Sequence, residues 1–126
     1  MKLFFVLGCV NAFLSVALGA FGAHGLRQKV SPELLITWEK GVDYQMYHAL
    51  ALLMVALCVK LWPEVRRVRT AGLLFFLGII LFSGSLYTLV LTRITILGLI
   101  TPIGGVSFLC GWCLLALCAN QFDSRW

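Results

Sequence analysis

Long uncharged runs alternate with short charged segments along the chain. Three of the runs have 21 to 23 residues: 3–23, 71–91 and 97–119. As helices that rise about 1.5 Å per residue, they are long enough to cross a hydrocarbon core of about 30 Å. The run from Tyr44 to Val59 has only 16 residues, so it spans only if Lys60 extends its ammonium group to the interface or if the helix starts within the interface, which Tyr44 suits. The pattern therefore predicts four transmembrane helices, at about residues 3–23, 44–61, 71–91 and 97–119.

The segment between the first two spans shows a different pattern. Apolar residues recur about once per helical turn, with most charges between them, at Leu26, Val30, Leu34, Trp38 and Val42. Ser31 followed by Pro32 is typical of a helix N-cap and the first helical position. We predict an amphipathic helix at about residues 31–42 that covers the outer side of the bundle and leads, with a bend at Gly41, into the second span.

The composition agrees with this architecture. Of the 126 residues, 61% are hydrophobic and 12% are charged, which excludes an ordinary soluble domain. The net charge of +5 comes from residues between the uncharged runs, so it indicates membrane orientation rather than nucleic-acid binding. We predict an all-α, polytopic membrane protein: four antiparallel transmembrane helices with an outer amphipathic helix between the first two. We expect the first span to be retained, because its apolar run is longer than that of a cleaved signal peptide.

An even number of spans places both termini on the same side as the loop between the second and third spans. The basic residues of that side are Lys2, Lys60, Arg66, Arg67, Arg69 and Arg125. Those of the other side are Arg27, Lys29, Lys40 and Arg93, which Glu33, Glu39 and Asp43 offset. The positive-inside rule then predicts that both termini are cytoplasmic. The cluster of Lys60, Arg66, Arg67 and Arg69 is also a candidate for contact with anionic lipid head groups, although an orientation signal alone explains it equally well.

Small residues recur where helices are expected to touch. They are Ser15, Gly19 and Ala23 in the first span, Gly72, Gly78 and Gly84 in the third, and Gly104, Gly105, Ser107 and Gly111 in the fourth. In lipid, helices associate through close packing and hydrogen bonds rather than through the hydrophobic effect. We therefore expect these residues to join helices, and because they outnumber what four helices need, we also expect a homo-oligomer or membership of a larger membrane complex.

Four ordered motifs cover nearly the whole chain. They are Gly19-Ala20-Phe21-Gly22-Ala23-His24, Tyr44-Gln45-x-Tyr47-His48, Leu81-Phe82-Ser83-Gly84-Ser85-Leu86-Tyr87 and Thr101-Pro102-x-Gly104-Gly105-x-Ser107-Phe108, followed by Gly111-Trp112. Together they resemble the YgdD-like family of small four-helix membrane proteins, also known as domain of unknown function 423 and related to mitochondrial transmembrane protein 256. The resemblance implies a small polytopic protein of the bacterial inner membrane. It implies no activity, and therefore no catalytic residue.

On the four-helix topology these motifs converge at the outer side of the membrane. The polar and small residues that we expect to meet there are His24, Tyr44, His48, Ser83, Tyr87, Thr101, Gly104 and Gly105. Thr101 and Pro102 are predicted to cap and begin the fourth helix, whose free N–H groups and positive dipole end face the same region. Ionisable residues within a bilayer are costly, so such a cluster is a candidate binding site.

Three interpretations of the two histidines are open. They form structural hydrogen bonds, with His48 bonded to Tyr87, Ser83 or a carbonyl of the third or fourth helix; they bind a lipid head group or small amphiphile; or they serve in haem- or quinone-linked redox chemistry. We favour a non-enzymatic protein, without metal or cofactor, that binds a membrane lipid or amphiphile or acts as an accessory subunit. A channel is a further alternative. The second helix is apolar beyond His48, which disfavours a polar path through a monomer, so such a channel would be formed by an oligomer.

The sequence Cys110-Gly111-Trp112-Cys113 has the spacing of a dithiol redox motif. A redox-active pair needs thiolate character and access to a partner, whereas these cysteines lie in an apolar run. We expect them to be buried free cysteines that act as small hydrophobic residues.

Overall fold

The structure, a computed structural model, describes residues 1–122 and is helical apart from short connections. The α-helices are α1 (Lys2–Phe21), α2 (Pro32–Leu61), α3 (Arg66–Gly78), α4 (Gly84–Thr92), α5 (Thr101–Leu117) and α6 (Ala119–Phe122). Gly22–Leu26 and Ile79–Ser83 are π-helical turns, and Thr95–Leu99 is a 3₁₀-helix. Four continuous helical stretches are long and apolar enough to cross a membrane: Lys2–Leu26, Pro32–Leu61, Arg66–Thr92 and Thr95–Phe122. The predicted all-α architecture of four spans is thereby confirmed; Arg125 lies outside the described residues.

The second span is a single helix of 30 residues. It begins as the sequence predicts, with Pro32 in the first turn and the Ser31 hydroxyl accepting a hydrogen bond from the Leu34 N–H at 3.3 Å. The amphipathic segment predicted at about residues 31–42 forms the first turns of this helix and continues without interruption through Gly41 into the apolar part. The segment therefore lengthens the second span instead of forming a separate element across the bundle.

The second and third spans form the centre of the bundle. α1 packs along α2, and α5 packs along α3 and the π-helical turn that follows it. The first and fourth spans lie on opposite sides of this central pair, and a cleft separates each of them from the more distant central span. The best-buried apolar side chains lie between the central spans: Leu52, Val55, Val68 and Phe75. This arrangement gives α2 two distinct faces, one towards the first span and one towards the fourth.

Both ends of the described chain lie at one end of the bundle, which we call the terminal end. Met1 and Lys60 line the same groove there, and the Trp62 and Phe122 rings are in contact, with their centroids 4.3 Å apart. The opposite end, the loop end, contains the connections at residues 27–31 and 93–94. Adjacent spans therefore run antiparallel, as predicted.

Most of the predicted small residues do mark close helix contacts. A Cβ atom at Gly104 would collide with the Phe82 backbone nitrogen, and one at Gly111 would lie 2.6 Å from the Phe75 ring. Gly84 is different, because it faces open space, and Gly105 has only one side-chain atom within 4.0 Å of the position of a Cβ atom. The third and fourth spans are thus joined most tightly where Gly104 meets the π-helical turn.

Polar side chains inside the bundle connect spans to one another. Asn11 in α1, Gln45 in α2 and Tyr87 in α4 form a continuous chain: the Gln45 amide donates to the Asn11 side-chain oxygen at 3.1 Å, and the Tyr87 hydroxyl donates to the Gln45 side-chain oxygen at 2.7 Å. Ser15 and Ser83 add hydrogen bonds from the first and third spans to α2 carbonyl oxygens. Hydrogen bonds of this kind hold membrane helices together where water is absent.

Candidate functional site

The predicted site residues on the second and third spans divide into two groups, one on each side of the α2 face that packs against the third span. Tyr44 and His48 face the fourth span, whereas Gly41 and Gln45 face the first and third spans. Residues 44 and 48 are one helical turn apart, as are residues 41 and 45, and the neighbouring Tyr44 and Gln45 point about 100° apart around the helix axis. The eight predicted residues therefore do not line a single pocket.

The first group lies in an open cleft between the second and fourth spans, which we call the aromatic cleft. Its volume is about 480 Å³, and it is lined by Tyr44, His48, Phe82, Pro102, Gly105, Val106, Phe108, Leu109 and Trp112. Three of the predicted site residues, Tyr44, His48 and Gly105, belong to it. Within α5 the lining runs from Pro102 to Trp112, so the cleft extends for about 15 Å along the helix axis.

Stacked rings shape this cleft. The His48 and Phe108 rings are nearly parallel, at 8°, with their centroids 3.5 Å apart. The Tyr44 ring lies on Phe82 with a centroid distance of 4.5 Å, closer to the loop end. Such stacking holds large side chains in fixed positions and leaves a smooth apolar wall. The wall faces outwards, since Leu109 is 66% exposed and Trp112 is 42% exposed on the surface of the bundle.

Both ring nitrogens of His48 have hydrogen-bond partners. The Trp112 indole N–H is only a donor, and it lies 3.1 Å from His48 Nε2, which must therefore accept. The other ring nitrogen, Nδ1, is 2.8 Å from the Tyr44 carbonyl oxygen, which can only accept. These two bonds require a neutral imidazole with its proton on Nδ1. The structural interpretation expected His48 to bond Tyr87, Ser83 or a carbonyl of the third or fourth helix. Instead, His48 bonds Trp112 and a carbonyl of its own helix, while Ser83 bonds Gly41 and Tyr87 bonds Gln45.

We predict that the tautomer of His48 depends on Trp112. In the wild-type protein, ¹⁵N NMR of labelled histidine is expected to show a protonated Nδ1 and an unprotonated Nε2 at neutral pH. Trp112→Phe removes the only described donor to Nε2, so the Nε2–H tautomer and the imidazolium form become accessible. The exposed His24 in the same spectrum is the internal control and should not change. An unaltered His48 signal in the variant would contradict the assignment.

The second group lies on the side of α2 that is nearer the first span. Ser83 donates to the Gly41 carbonyl oxygen at 2.7 Å. The Tyr87 ring packs against Trp38 at a tilt of 47°, in addition to the hydrogen bond from its hydroxyl to Gln45. A smaller cleft of about 320 Å³ lies beside these residues, between the first and third spans. Its walls are almost entirely apolar apart from the hydrogen-bonded groups. This arrangement joins helices and leaves few polar groups for a ligand.

The remaining predicted site residues lie apart from both groups. Thr101 is the first residue of α5 rather than its N-cap, because the preceding 3₁₀-helix already turns the chain before this position. The Thr101 and Ser85 hydroxyl groups form a hydrogen bond of 2.6 Å. Gly104 packs against the third-span backbone. His24 is exposed on the π-helical turn after α1. Gly22, two residues before His24, contacts Trp38. Because Trp38 precedes His48 by ten residues on α2, the two histidines are separated by about 15 Å along the axis of this helix.

The basic cluster lies at the terminal end, as its sequence position requires. Arg66 and Arg67 border an open depression of about 580 Å³ that also includes Glu64 and Asn120. Lys60 lines a separate apolar groove between α1 and α2. The four basic residues therefore do not form a single site.

The cysteines give no sign of a redox or metal site. Cys110 and Cys113 are exposed on the outer surface of α5, so the expectation that they are buried is wrong; Trp112 between them faces the aromatic cleft. All five cysteines are free thiols. Among residues 1–122, no three His, Cys, Asp or Glu side chains come close enough together to hold a metal ion.

Four residues with clear roles in these clusters were not predicted as site residues. They are Asn11, Gln45, Phe108 and Trp112. Asn11 and Gln45 could have been predicted from the sequence, because they are side-chain amides inside uncharged runs and such groups need partners in a membrane. Phe108 and Trp112 could not, because aromatic residues are common on any membrane helix.

Comparison with known proteins identifies the family. The profile described as "Protein of unknown function (DUF423)" matches residues 18–105. The UPF0382 membrane protein YwdK of Bacillus subtilis (strain 168) is 51% identical over 122 residues, which cover 97% of this chain and 99% of that protein. The UPF0382 membrane protein SAB0533 of Staphylococcus aureus (strain bovine RF122 / ET3-1) is 54% identical over 122 residues, 97% of this chain and 98% of that protein.

No solved structure matches the chain significantly. The profile covers more than half of the sequence, and the relatives match along nearly their whole length. These relatives are named membrane proteins, in agreement with the four helices of this chain that are able to span a membrane. The chain therefore belongs to the DUF423 family, a family of membrane proteins to which no activity is assigned.

Proposed function

We propose that the protein is a non-enzymatic membrane protein that binds one amphiphilic lipid in the aromatic cleft. The observation that carries this proposal is an open cleft of about 480 Å³ with rigid aromatic walls and a polar group at one end. Within residues 1–122 the Tyr44 hydroxyl has no hydrogen-bond partner, so it is free to bond a ligand. Pockets that bind small molecules commonly combine apolar walls with a few such polar groups.

The two ends of the cleft differ in polarity. Tyr44 lies next to the exposed Asp43 and marks the end of the uncharged part of α2, at the level of the membrane interface. Leu109 and Trp112 lie deeper, beside the apolar middle of the spans. A ligand with a polar group near Tyr44 and a hydrocarbon portion along Leu109 matches this gradient. With both termini cytoplasmic, as the basic residues favour, the polar end belongs to the outer leaflet of the bacterial inner membrane.

The hydrogen bonds of His48 disfavour the haem alternative. An axial ligand to haem iron must offer a free imidazole nitrogen, whereas both nitrogens of His48 are bonded within the protein. The exposed His24 belongs to a different part of the surface. An isoprenoid quinone, in contrast, is itself an amphiphile whose carbonyl oxygen could accept from Tyr44, so it remains within the proposed ligand class. A role as an accessory subunit or as part of an oligomer is compatible with this binding.

Filling the cleft tests the proposal. Gly105 lies on its wall, with space for a side chain, so Gly105→Leu should occupy the cleft without disturbing the helix contacts. We expect native mass spectrometry of protein purified in mild detergent to show one retained amphiphile on the wild type and about tenfold less on this variant, equivalent to about 1.4 kcal/mol. Extraction of the purified protein then identifies the ligand as phospholipid or quinone.

Two further variants sharpen the result. Ile103→Leu changes an exposed residue of the same helix outside the cleft, so it should retain the amphiphile like the wild type. Tyr44→Phe keeps the stacked ring and removes only the hydroxyl, so about fivefold weaker retention is expected. Wild-type protein without any retained amphiphile, or equal retention by Gly105→Leu, would reject the proposal.

A further inference from the structure

A second lipid-facing groove lies at the terminal end, between α1 and α2. Its volume is about 340 Å³, and it is lined by Met1, Phe5, Leu53, Ala56, Leu57 and Lys60. It is separate from the aromatic cleft in depth and in position, since it lies on the face of α2 that packs against the first span. We call it the Lys60 groove.

The shape of this groove follows from one glycine. At Gly8 a Cβ atom would lie 2.7 Å from the Leu53 side chain and 2.9 Å from the Ala49 carbonyl oxygen, so α1 and α2 are in close contact there. Beyond Gly8, towards the terminal end, the two helices leave a gap that Phe5 and Leu57 border without filling. Both side chains remain more than half exposed, at 56% and 55%.

The charge at the water-facing rim is positive. Among the described residues that line the groove, Lys60 is the only one with a charged side chain, and Lys2 directly follows the lining residue Met1. Within residues 1–122 the terminal end carries five Lys and Arg residues, which are Lys2, Lys60, Arg66, Arg67 and Arg69, and one acidic residue, Glu64. The loop end carries four basic and three acidic residues. Of the two ends, only this one offers a clear excess of cations to an anionic head group.

We infer that the Lys60 groove is a binding site for an anionic phospholipid. One acyl chain lies between Phe5 and Leu57, and the phosphate lies at the rim beside the Lys60 ammonium group. A long lysine side chain suits this position, because its methylene groups cover apolar surface while the charge stays at the interface. A basic residue near a membrane surface strengthens binding of an anionic lipid about fivefold, so the site should prefer phosphatidylglycerol over phosphatidylcholine.

Competition between two lipids of equal chain length tests this inference. Purified protein is mixed with phosphatidylglycerol and phosphatidylcholine carrying the same acyl chains, and native mass spectrometry counts the bound lipids. We expect about fivefold more phosphatidylglycerol on the wild type, and equal amounts on Lys60→Gln. Lys60→Arg should keep the preference, because it keeps the charge. Lys40→Gln, which removes a cation from the loop end, is the matched control and should also keep it.

A variant of the apolar wall separates a lipid site from simple charge attraction. Leu57→Trp fills the groove without altering any charge, so it should reduce the bound phosphatidylglycerol although Lys60 remains. Equal binding of the two lipids by the wild type, or an unchanged preference in Lys60→Gln, would overturn the inference. An unchanged amount of bound phosphatidylglycerol on Leu57→Trp would also overturn it, since the groove would then play no part. Because Gly105→Leu leaves this groove intact, its effect on the aromatic cleft is measured independently.

Discussion

Gly104→Ala is expected to destabilise the protein by about 2–3 kcal/mol, the largest effect that we predict for a single methyl group. The added Cβ would collide with the Phe82 nitrogen and lie 2.8 Å from the Leu81 carbonyl carbon, both of them backbone atoms. A side chain could rotate away, but backbone atoms move only if the third and fourth spans separate. Overpacking of a tight contact typically costs about 1–3 kcal/mol. The free energy of unfolding in mixed detergent micelles measures the effect.

The adjacent glycine is the control for this substitution. Gly105→Ala places the same methyl group in the same helix, yet its nearest neighbour is 4.0 Å away. Gly84→Ala adds a methyl group where no atom lies within 4 Å. Both variants should have the same free energy of unfolding as the wild type or a slightly higher one, because alanine favours the helical conformation more than glycine does. If Gly104→Ala matched Gly105→Ala in stability, the described contact between the third and fourth spans would be wrong.

Gln45→Leu is expected to cost about 1–3 kcal/mol of unfolding free energy. Gln45 is buried and is the central member of the hydrogen-bonded chain through three spans, so its replacement leaves the Asn11 oxygen and the Tyr87 hydroxyl without these partners. Hydrogen bonds between membrane helices contribute about 0.6 kcal/mol each on average and up to about 1.7 kcal/mol. Leucine is similar in size, so the loss reflects hydrogen bonding rather than a cavity. Unfolding in detergent again provides the measurement.

A double-mutant cycle with Tyr87→Phe isolates the contribution of this network. Tyr87→Phe removes only the hydroxyl that donates to Gln45, so the combined variant should lose less than the sum of the two single losses. Thr88→Val is the control, because the Thr88 hydroxyl is exposed and bonds only to a carbonyl of its own helix. Strictly additive losses from the two network variants would mean that Gln45 and Tyr87 do not act together.

The four spans could be predicted because lipid imposes a simple rule on sequence. A run of about 20 apolar residues must cross the membrane, and charges must remain outside it. The start of α2 was equally clear, since Ser31 and Pro32 fit two adjacent cap positions. The start of α5 was not, because the 3₁₀-helix before Thr101 already turns the chain and moves the threonine inside the helix. Local sequence does not reveal such a preceding turn.

The sequence predicts the height of each site residue in the membrane but not the neighbouring span towards which its side chain points. Counting along a helix gives the height of Tyr44 and Tyr87 in the membrane, and both lie nearer the loop end. It does not give the neighbour towards which each face points, because in lipid both faces of a central helix are apolar. Tyr44 faces the fourth span, whereas Gln45, the next residue, faces the first and third. Only the packing order of the spans separates the aromatic cleft from the polar network.

The length of α2 determines how far the protein reaches beyond the bilayer. Thirty residues make a rod of about 45 Å, whereas the hydrocarbon core is about 30 Å thick. Because Glu33, Glu39, Lys40 and Asp43 are unfavourable in hydrocarbon, the excess of about 15 Å lies beyond the hydrocarbon core at the loop end. Trp38 bonds the Leu18 carbonyl oxygen there and packs in a cluster with Leu26 and Val90, so the ends of the first three spans are held together. A soluble partner that approaches from that face therefore meets a packed, charged surface before it reaches the hydrocarbon core.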